Sequence, residues 1–170
     1  PGVKVDATGV DDSAVLALGA GDDTLAMTLY GRSADDAEND EDVLVYGVES
    51  GAQVTAGAGD DTVTMDLTGI AGTRYAYVTG VTSGSSLDLG EGDNTLTLQA
   101  AATTTAAAGF YARGRGLDGR SGTASLSGGD GADDITFDLT ATSDTNDNYA
   151  SIRGIEGSGA SLDLGGGANT

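Results

Sequence analysis

Hydrophobic residues in this chain fall on alternate positions in short runs, and the runs return in the same order. Leu25, Met27 and Leu29 alternate with small or polar residues, as do Val63, Met65 and Leu67, then Leu96, Leu98 and Ala100, then Ile135, Phe137 and Leu139. A period of two with one apolar side predicts a strand with a single buried face. Ahead of these runs lie shorter alternations, Leu16 and Leu18, Val54 and Ala56, Leu87 and Leu89, Leu162 and Leu164, which predict a second strand facing the same way. A third strand is marked by a glycine before an aliphatic residue, at Gly9-Val10, Gly47-Val48, Gly80-Val81, Gly116-Leu117 and Gly154-Ile155.

The joints between strands repeat as well. Leu18-Gly-Ala-Gly-Asp-Asp-Thr-Leu25 returns as Ala56-Gly-Ala-Gly-Asp-Asp-Thr-Val63, Leu89-Gly-Glu-Gly-Asp-Asn-Thr-Leu96 and Gly128-Gly-Asp-Gly-Ala-Asp-Asp-Ile135, and begins again at Leu164. Its sixth residue is Asp23, Asp61, Asn94, Asp133 and Asn169, at separations of 38, 33, 39 and 36. Three strands per period in constant register predict an all-β, parallel β-helix (β-solenoid) of about five coils of 33–39 residues, filling 1–170 as one segment. The coil is expected to be right-handed, as parallel crossovers are. One large three-stranded coil per period is preferred over two smaller ones. Stacking then places Leu25, Val63, Leu96 and Ile135 in one interior column and Met27, Met65, Leu98 and Phe137 in the next. Insertions are expected at Gly31–Asp42, Ala100–Ala108 and Thr140–Asn148; the first is acidic and reads as a solvated loop or a further cation site. With the fifth turn cut at Thr170 and no cap at either end, the stack is expected to continue into further coils.

Composition alone points elsewhere. Leu, Val, Ile and Phe number 15, 11, 4 and 2, and the net charge is −20, a balance typical of disordered chains. A thin solenoid removes the conflict, because only its inward positions need be apolar. The same charge excludes a nucleic-acid binder working by electrostatics. Without His or Cys there is no thiolate, no Ser-His pair, no usual zinc site and no disulfide. No apolar stretch is long enough for membrane insertion, and no export signal follows Pro1. Asp outnumbers Glu by 22 to 5, which suits turns and hard-cation coordination and makes structural Ca2+ the first partner to consider.

The turn Gly128-Gly-Asp-Gly-Ala-Asp-Asp-Ile-Thr136 fits Gly-Gly-x-Gly-x-Asp-x-(aliphatic)-x throughout and resembles the calcium-binding repeat of RTX proteins. The spacing of one such turn per 33–39 residues is instead similar to the β-helical passenger regions of autotransporters and other large bacterial surface adhesins. The resemblance implies turn glycines that aim carbonyls at an ion, with Asp23, Asp61 and Asp133 as ligands and Asn94 and Asn169 as neutral counterparts. It also implies an extracellular or cell-surface location. Neighbouring Asp22, Asp60, Asp93, Asp130 and Asp134 complete the candidate metal set. Coils stack at about 4.8 Å, so equivalent carboxylates repel by roughly 1 kcal/mol in water and more where partly buried. Asp22, Asp23, Asp60 and Asp61 would put four carboxylates within two coils, enough with carbonyls for calcium. The competing reading is of exposed aspartates bonded to their own turns.

The third strand carries different chemistry. Tyr75, Tyr111 and Tyr149 align five positions before its marker glycine, and Tyr77, Arg113, Arg115 and Arg153 share their outward parity. This stripe could stack on surface polysaccharide, pack on an acidic face of another copy of the chain, or merely shield a sheet as a tyrosine ladder. The expectation is therefore a non-enzymatic structural or adhesive segment: a Ca-stabilised stalk, fibre or surface-layer subunit. The alternative is a polysaccharide-acting β-helix enzyme, a lyase or epimerase, using Arg113, Arg115, Arg153 and Tyr111. Ice binding through Thr24, Thr62 and Thr95 is opposed by the variable repeat length and by Asp66, Asp134 and Asp138.

Overall fold

The computed structural model describes residues 4–33, 42–105, 109–144 and 148–170 of the chain. All regular structure in these residues is β, in three parallel sheets. The first contains β1 (Val5–Val10), β4 (Val43–Val48), β7 (Ala76–Val81), β10 (Tyr111–Asp118) and β13 (Tyr149–Glu156), side by side in that order. The second orders β2 (Val15–Ala20), β5 (Gln53–Ala58), β8 (Ser86–Asp88), β11 (Ala124–Ser127) and β14 (Ala160–Asp163). The third is formed by β3 (Thr24–Arg32), β6 (Thr62–Ala71), β9 (Thr95–Thr104) and β12 (Asp134–Ser143). Each period gives one strand to each sheet, so the chain is a β-solenoid with four complete coils and two strands of a fifth. One period is a single three-stranded coil, the preferred of the two arrangements that its pattern allowed.

The interior columns are in register. Leu25 pairs with Val63, Val63 with Leu96 and Leu96 with Ile135, while Met27, Met65, Leu98 and Phe137 form the adjoining row. Val63, Met65, Leu96 and Leu98 are fully buried, and Leu25 and Ile135 at the ends of the third sheet are half-buried. No single coil encloses its own apolar side chains; each column becomes solvent-free only where coils lie above and below.

The marker glycine of the third strand has a packing reason. A Cβ on Gly80 would overlap Leu98 Cδ1 and lie 2.8 Å from the Gly116 carbonyl oxygen; one on Gly9 would overlap Met27 Sδ. The first sheet thus leaves room opposite the column of large residues, and only glycine provides it.

The strands of the third sheet run further than expected. Ala100–Ala108 and Thr140–Asn148 were expected to be insertions, but β9 continues to Thr104 and β12 to Ser143, with Ala102 opposite Ala141 and Ala100 opposite Leu139. Alternation persists there with alanine as the inward residue: Ala100 and Ala102 are buried, although their hydrophobic signal is weak. Gly31 and Arg32 likewise belong to β3. The acidic stretch 34–41 lies outside the described residues, as do 106–108 and 145–147. Among the described residues no helix is long and apolar enough to cross a membrane.

Candidate functional site

Two chemically distinct regions recur along the rod. The first is the corner between the second and third sheets, where the Gly-x-Gly-x-(Asp/Asn) turns stack. These turns leave no space for side chains: Gly57 has φ of 125°, and a Cβ there would collide with the Gly19 carbonyl of the neighbouring coil. Backbone groups therefore approach closely, and short side chains bond them.

Two hydrogen-bond ladders run along this corner in opposite senses. At the sixth position the N–H of Asp23 donates to Asp61 Oδ1 (2.8 Å), that of Asp61 to Asn94 Oδ1 (3.0 Å), that of Asn94 to Asp133 Oδ1 (3.1 Å) and that of Asp133 to Asn169 Oδ1 (2.8 Å). At the fifth position Asp60 N–H donates back to Asp22 Oδ1 (3.0 Å), Asp93 N–H to Asp60 Oδ1 (2.9 Å) and Ala132 N–H to Asp93 Oδ1 (2.8 Å). The fifth-position carboxylates are exposed, whereas Asp61, Asn94 and Asp133 are each only 1% exposed. These aspartates therefore bond the backbone of the next coil and not that of their own turn.

Asparagine and aspartate differ at the remaining side-chain atom. Asn94 Nδ2 donates to the carbonyls of Gly90 (3.3 Å), Gly92 (3.1 Å) and Gly128 (3.4 Å), and Asn169 Nδ2 to those of Leu164 (3.0 Å) and Gly166 (3.1 Å). In Asp23, Asp61 and Asp133 the corresponding Oδ2 is buried and, among the described residues, has no hydrogen-bond partner. At Asp133 this oxygen occupies the space that a Cβ on Gly128 would need, and that Cβ would lie 3.1 Å from the Leu164 carbonyl oxygen. A buried acceptor without a donor is costly unless a cation or a proton meets it.

The structure does not gather the predicted metal residues into one cluster. Among the described residues no three acidic side chains converge on a point. Asp22, Asp60 and Asp93 lie along one ladder, and Asp23, Asp61, Asn94 and Asp133 along the other. Asp130 and Asp134 are exposed and belong to neither; Asp134 Oδ1 accepts from Thr170 Oγ1 (3.2 Å).

The second region is the outer face of the first sheet. Ala76, Val78 and Ala112 point inward and are buried, so Tyr75, Tyr77, Tyr111, Arg113 and Arg115 point outward as their parity requires. Tyr75, Tyr111 and Tyr149 stack at 5.5 and 5.3 Å between ring centres with interplanar angles of 23° and 18°. Tyr111 is covered on both faces, whereas Tyr149 at the end of the ladder is 63% exposed. Arg113 lies over the rings of Tyr111 (4.8 Å) and Tyr77 (5.6 Å), and among the described residues no carboxylate pairs with it. Arg115, only 4% exposed, is paired with Glu156 and lies 3.8 Å from Asp118. Arg153, across from Arg115, is 3.6 Å from Glu156 and largely exposed.

Asp118, Arg120 and Glu156 were absent from the sequence-derived site. Arg120 grips Asp118 through Nε (2.8 Å) and NH2 (2.6 Å). A signal was present: an acidic residue follows the marker glycine by two at Asp11, Glu49, Asp118 and Glu156. Burial works to raise the Asp118 carboxyl, but hydrogen bonds from Arg120 and the charges of Arg115 and Arg120 outweigh it and hold the group below the ordinary range. Tyr46, across the same face, is pushed up to about 12 by burial first and then by Glu49 and Asp6. Two clefts open here. One of about 350 Å3 lies over β4, β7 and β10, including Tyr46, Tyr77 and Arg113, and one of about 260 Å3 lies over β10 and β13, including Arg113, Tyr149 and Arg153. Arg113 and Arg115 line both.

No family model, curated protein or solved structure matches the chain.

Proposed function

We propose that this chain is a structural segment of a secreted or cell-surface bacterial protein, a β-solenoid stalk or fibre unit whose coils are stiffened by Ca2+. What supports the structural reading is that the corner residues repeat once per coil and are spent on joining one coil to the next. The observation that carries the metal is the buried, unpartnered Oδ2 of Asp23, Asp61 and Asp133, set against the amide nitrogen that fills the same role in Asn94 and Asn169. In the asparagine coils an N–H satisfies the surrounding carbonyls; in the aspartate coils a hard cation does so, with oxygen ligands of the kind Ca2+ takes. The sites are separate, one per aspartate coil, and not shared among four carboxylates of two coils.

A ligand that binds only the folded chain stabilises it by about 2.7 kcal/mol at one hundred times its dissociation constant. Thermal melts followed by circular dichroism, with calcium and with chelator, are expected to show a higher melting temperature in calcium. Calorimetric titration is expected to count one fewer site in Asp61→Asn. Identical melts in the two conditions would reject the metal.

A further inference from the structure

The outer face of the first sheet has a feature that coil-to-coil bonding does not require: a guanidinium held in place but unpaired, at the junction of two clefts. We propose that these clefts form one groove that binds an acidic, carboxylate-bearing oligosaccharide lying along the rod, with Arg113 as its central contact.

The clefts over β4–β7–β10 and β10–β13 meet at Arg113 and together cross four strands of the sheet. At about 4.8 Å per strand the groove is roughly 14 Å long and runs across the strands, along the solenoid axis. That length suits a short run of sugar rings. Arg113 is held by packing over Tyr77 and Tyr111, and among the described residues no carboxylate takes up its N–H groups. A planar guanidinium with free donors matches a carboxylate in bidentate fashion. Beside it lies Ser151, paired in register with Arg113, and beyond that the exposed Arg153. The hydroxyls of the tyrosine ladder and of Ser151 supply the mixed donor–acceptor edge that sugar hydroxyls need.

Charge points the same way. Among the described residues the walls of the two clefts carry Arg113, Arg115, Arg120 and Arg153 against Asp42, Asp118 and Glu156, a small local excess of cations on a chain whose net charge is −20. A second copy is the weaker occupant. It brings the same net charge of −20 spread over its whole surface. Tyr75 and Tyr111 are covered by their neighbours and Tyr149, at the end of the ladder, keeps one open face, so binding rests mainly on the guanidinium and the hydroxyl edges. This inference extends the structural reading to an adhesive one, and it is separable from the metal, which sits on the corner and not on this face.

The test is affinity electrophoresis and calorimetry of the whole chain in calcium, with polygalacturonate, neutral dextran and polyglutamate as probes. Binding to polygalacturonate alone is expected, weakened by salt. Arg113→Gln is expected to weaken it about tenfold, the scale of one charge-assisted hydrogen bond, with Arg113→Lys between the two. Arg153→Gln, at an exposed position that folding does not need, is expected to weaken binding a few-fold and serves if Arg113→Gln lowers the melting temperature. Several results would overturn the proposal: equal binding to polyglutamate, no binding to polygalacturonate, or self-association seen by sedimentation with no sugar bound. So would loss of binding in Asp60→Asn and not in the arginine variants, which would place the sugar on cation bridges at the corner. None of these results depends on whether calcium alters the melt.

Discussion

The aspartate corner and the arginine–tyrosine face both repeat once per coil, yet one is almost invariant and the other is not. At the corner, side chains bond to backbone, and backbone looks the same in every coil. Asp61, Asn94, Asp133 and Asn169 therefore all present an Oδ1 to the neighbouring N–H. On the face, side chains bond to side chains, and each coil can differ provided its neighbour complies. Along one row Tyr77, Arg113 and Ser151 succeed each other, while the adjacent row keeps Tyr75, Tyr111 and Tyr149. Repetition in sequence thus tracks which partner is the main chain, and departures from repetition mark where recognition can arise.

The comparison breaks most visibly at the glycines of the corner. Gly57→Ala introduces a Cβ into the Gly19 carbonyl at a positive φ, and a loss of about 3 kcal/mol or more is expected, read from urea melts. A comparable stability would mean that the corner is not close-packed. On the face the largest effect belongs to Glu156→Gln, which leaves the buried Arg115 without its nearest carboxylate; about 2–3 kcal/mol is expected from chemical denaturation. Asp61 sharpens the contrast. Asp61→Ala removes the acceptor for the Asp23 N–H and is expected to cost about 1–2 kcal/mol. In chelator Asp61→Asn should instead raise the melting temperature, since an amide N–H, which at Asn94 finds carbonyl acceptors, would replace a buried Oδ2 that has no partner among the described residues. If both variants behaved alike in chelator, the buried oxygen would have no special status. Tyr111→Leu should cost about 1 kcal/mol or less, the scale of an aromatic pair.

The smallest effect is on pH dependence. Asp118 titrates below the ordinary carboxylate value of about 3.9, so the stability it adds is complete above that pH and is lost as pH falls through its depressed value. Glu49 is the reverse case. Burial raises it, with Asp11 and Asp6 adding to the rise and the Thr8 hydroxyl opposing it, so folding binds its proton and stability declines as pH rises above about 4.3. Asp118→Asn should flatten the acid limb of the stability profile, and Glu49→Gln should remove the decline above it. Unchanged profiles would show that neither group is coupled to folding.

The coil was legible because period and parity carry it. Leu25, Val63, Leu96 and Ile135 could be aligned from spacing alone, and they lie in register. Strand length was less so, since the inward positions there are held by Ala102 and Ala141, residues that give almost no hydrophobic contrast. The corner spacing was plain, but the direction of each ladder depends on a rotamer that no sequence shows. The buried Oδ2 could have been suspected from Asn94 and Asn169, whose side chains keep the acceptor and exchange the other oxygen for a donor. Asp118 and Glu156 were hidden because one acidic residue per coil, spaced as widely as these, looks like surface charge until a buried arginine is found against it.

The opposed ladders have an evolutionary consequence. Because each joint at the sixth position consists of a carboxyl or amide oxygen meeting a peptide N–H, every winding presents the same contact there to its neighbours. Whole windings could be duplicated, deleted or exchanged without designing a new junction, and the rod could change its length while its joints stayed the same.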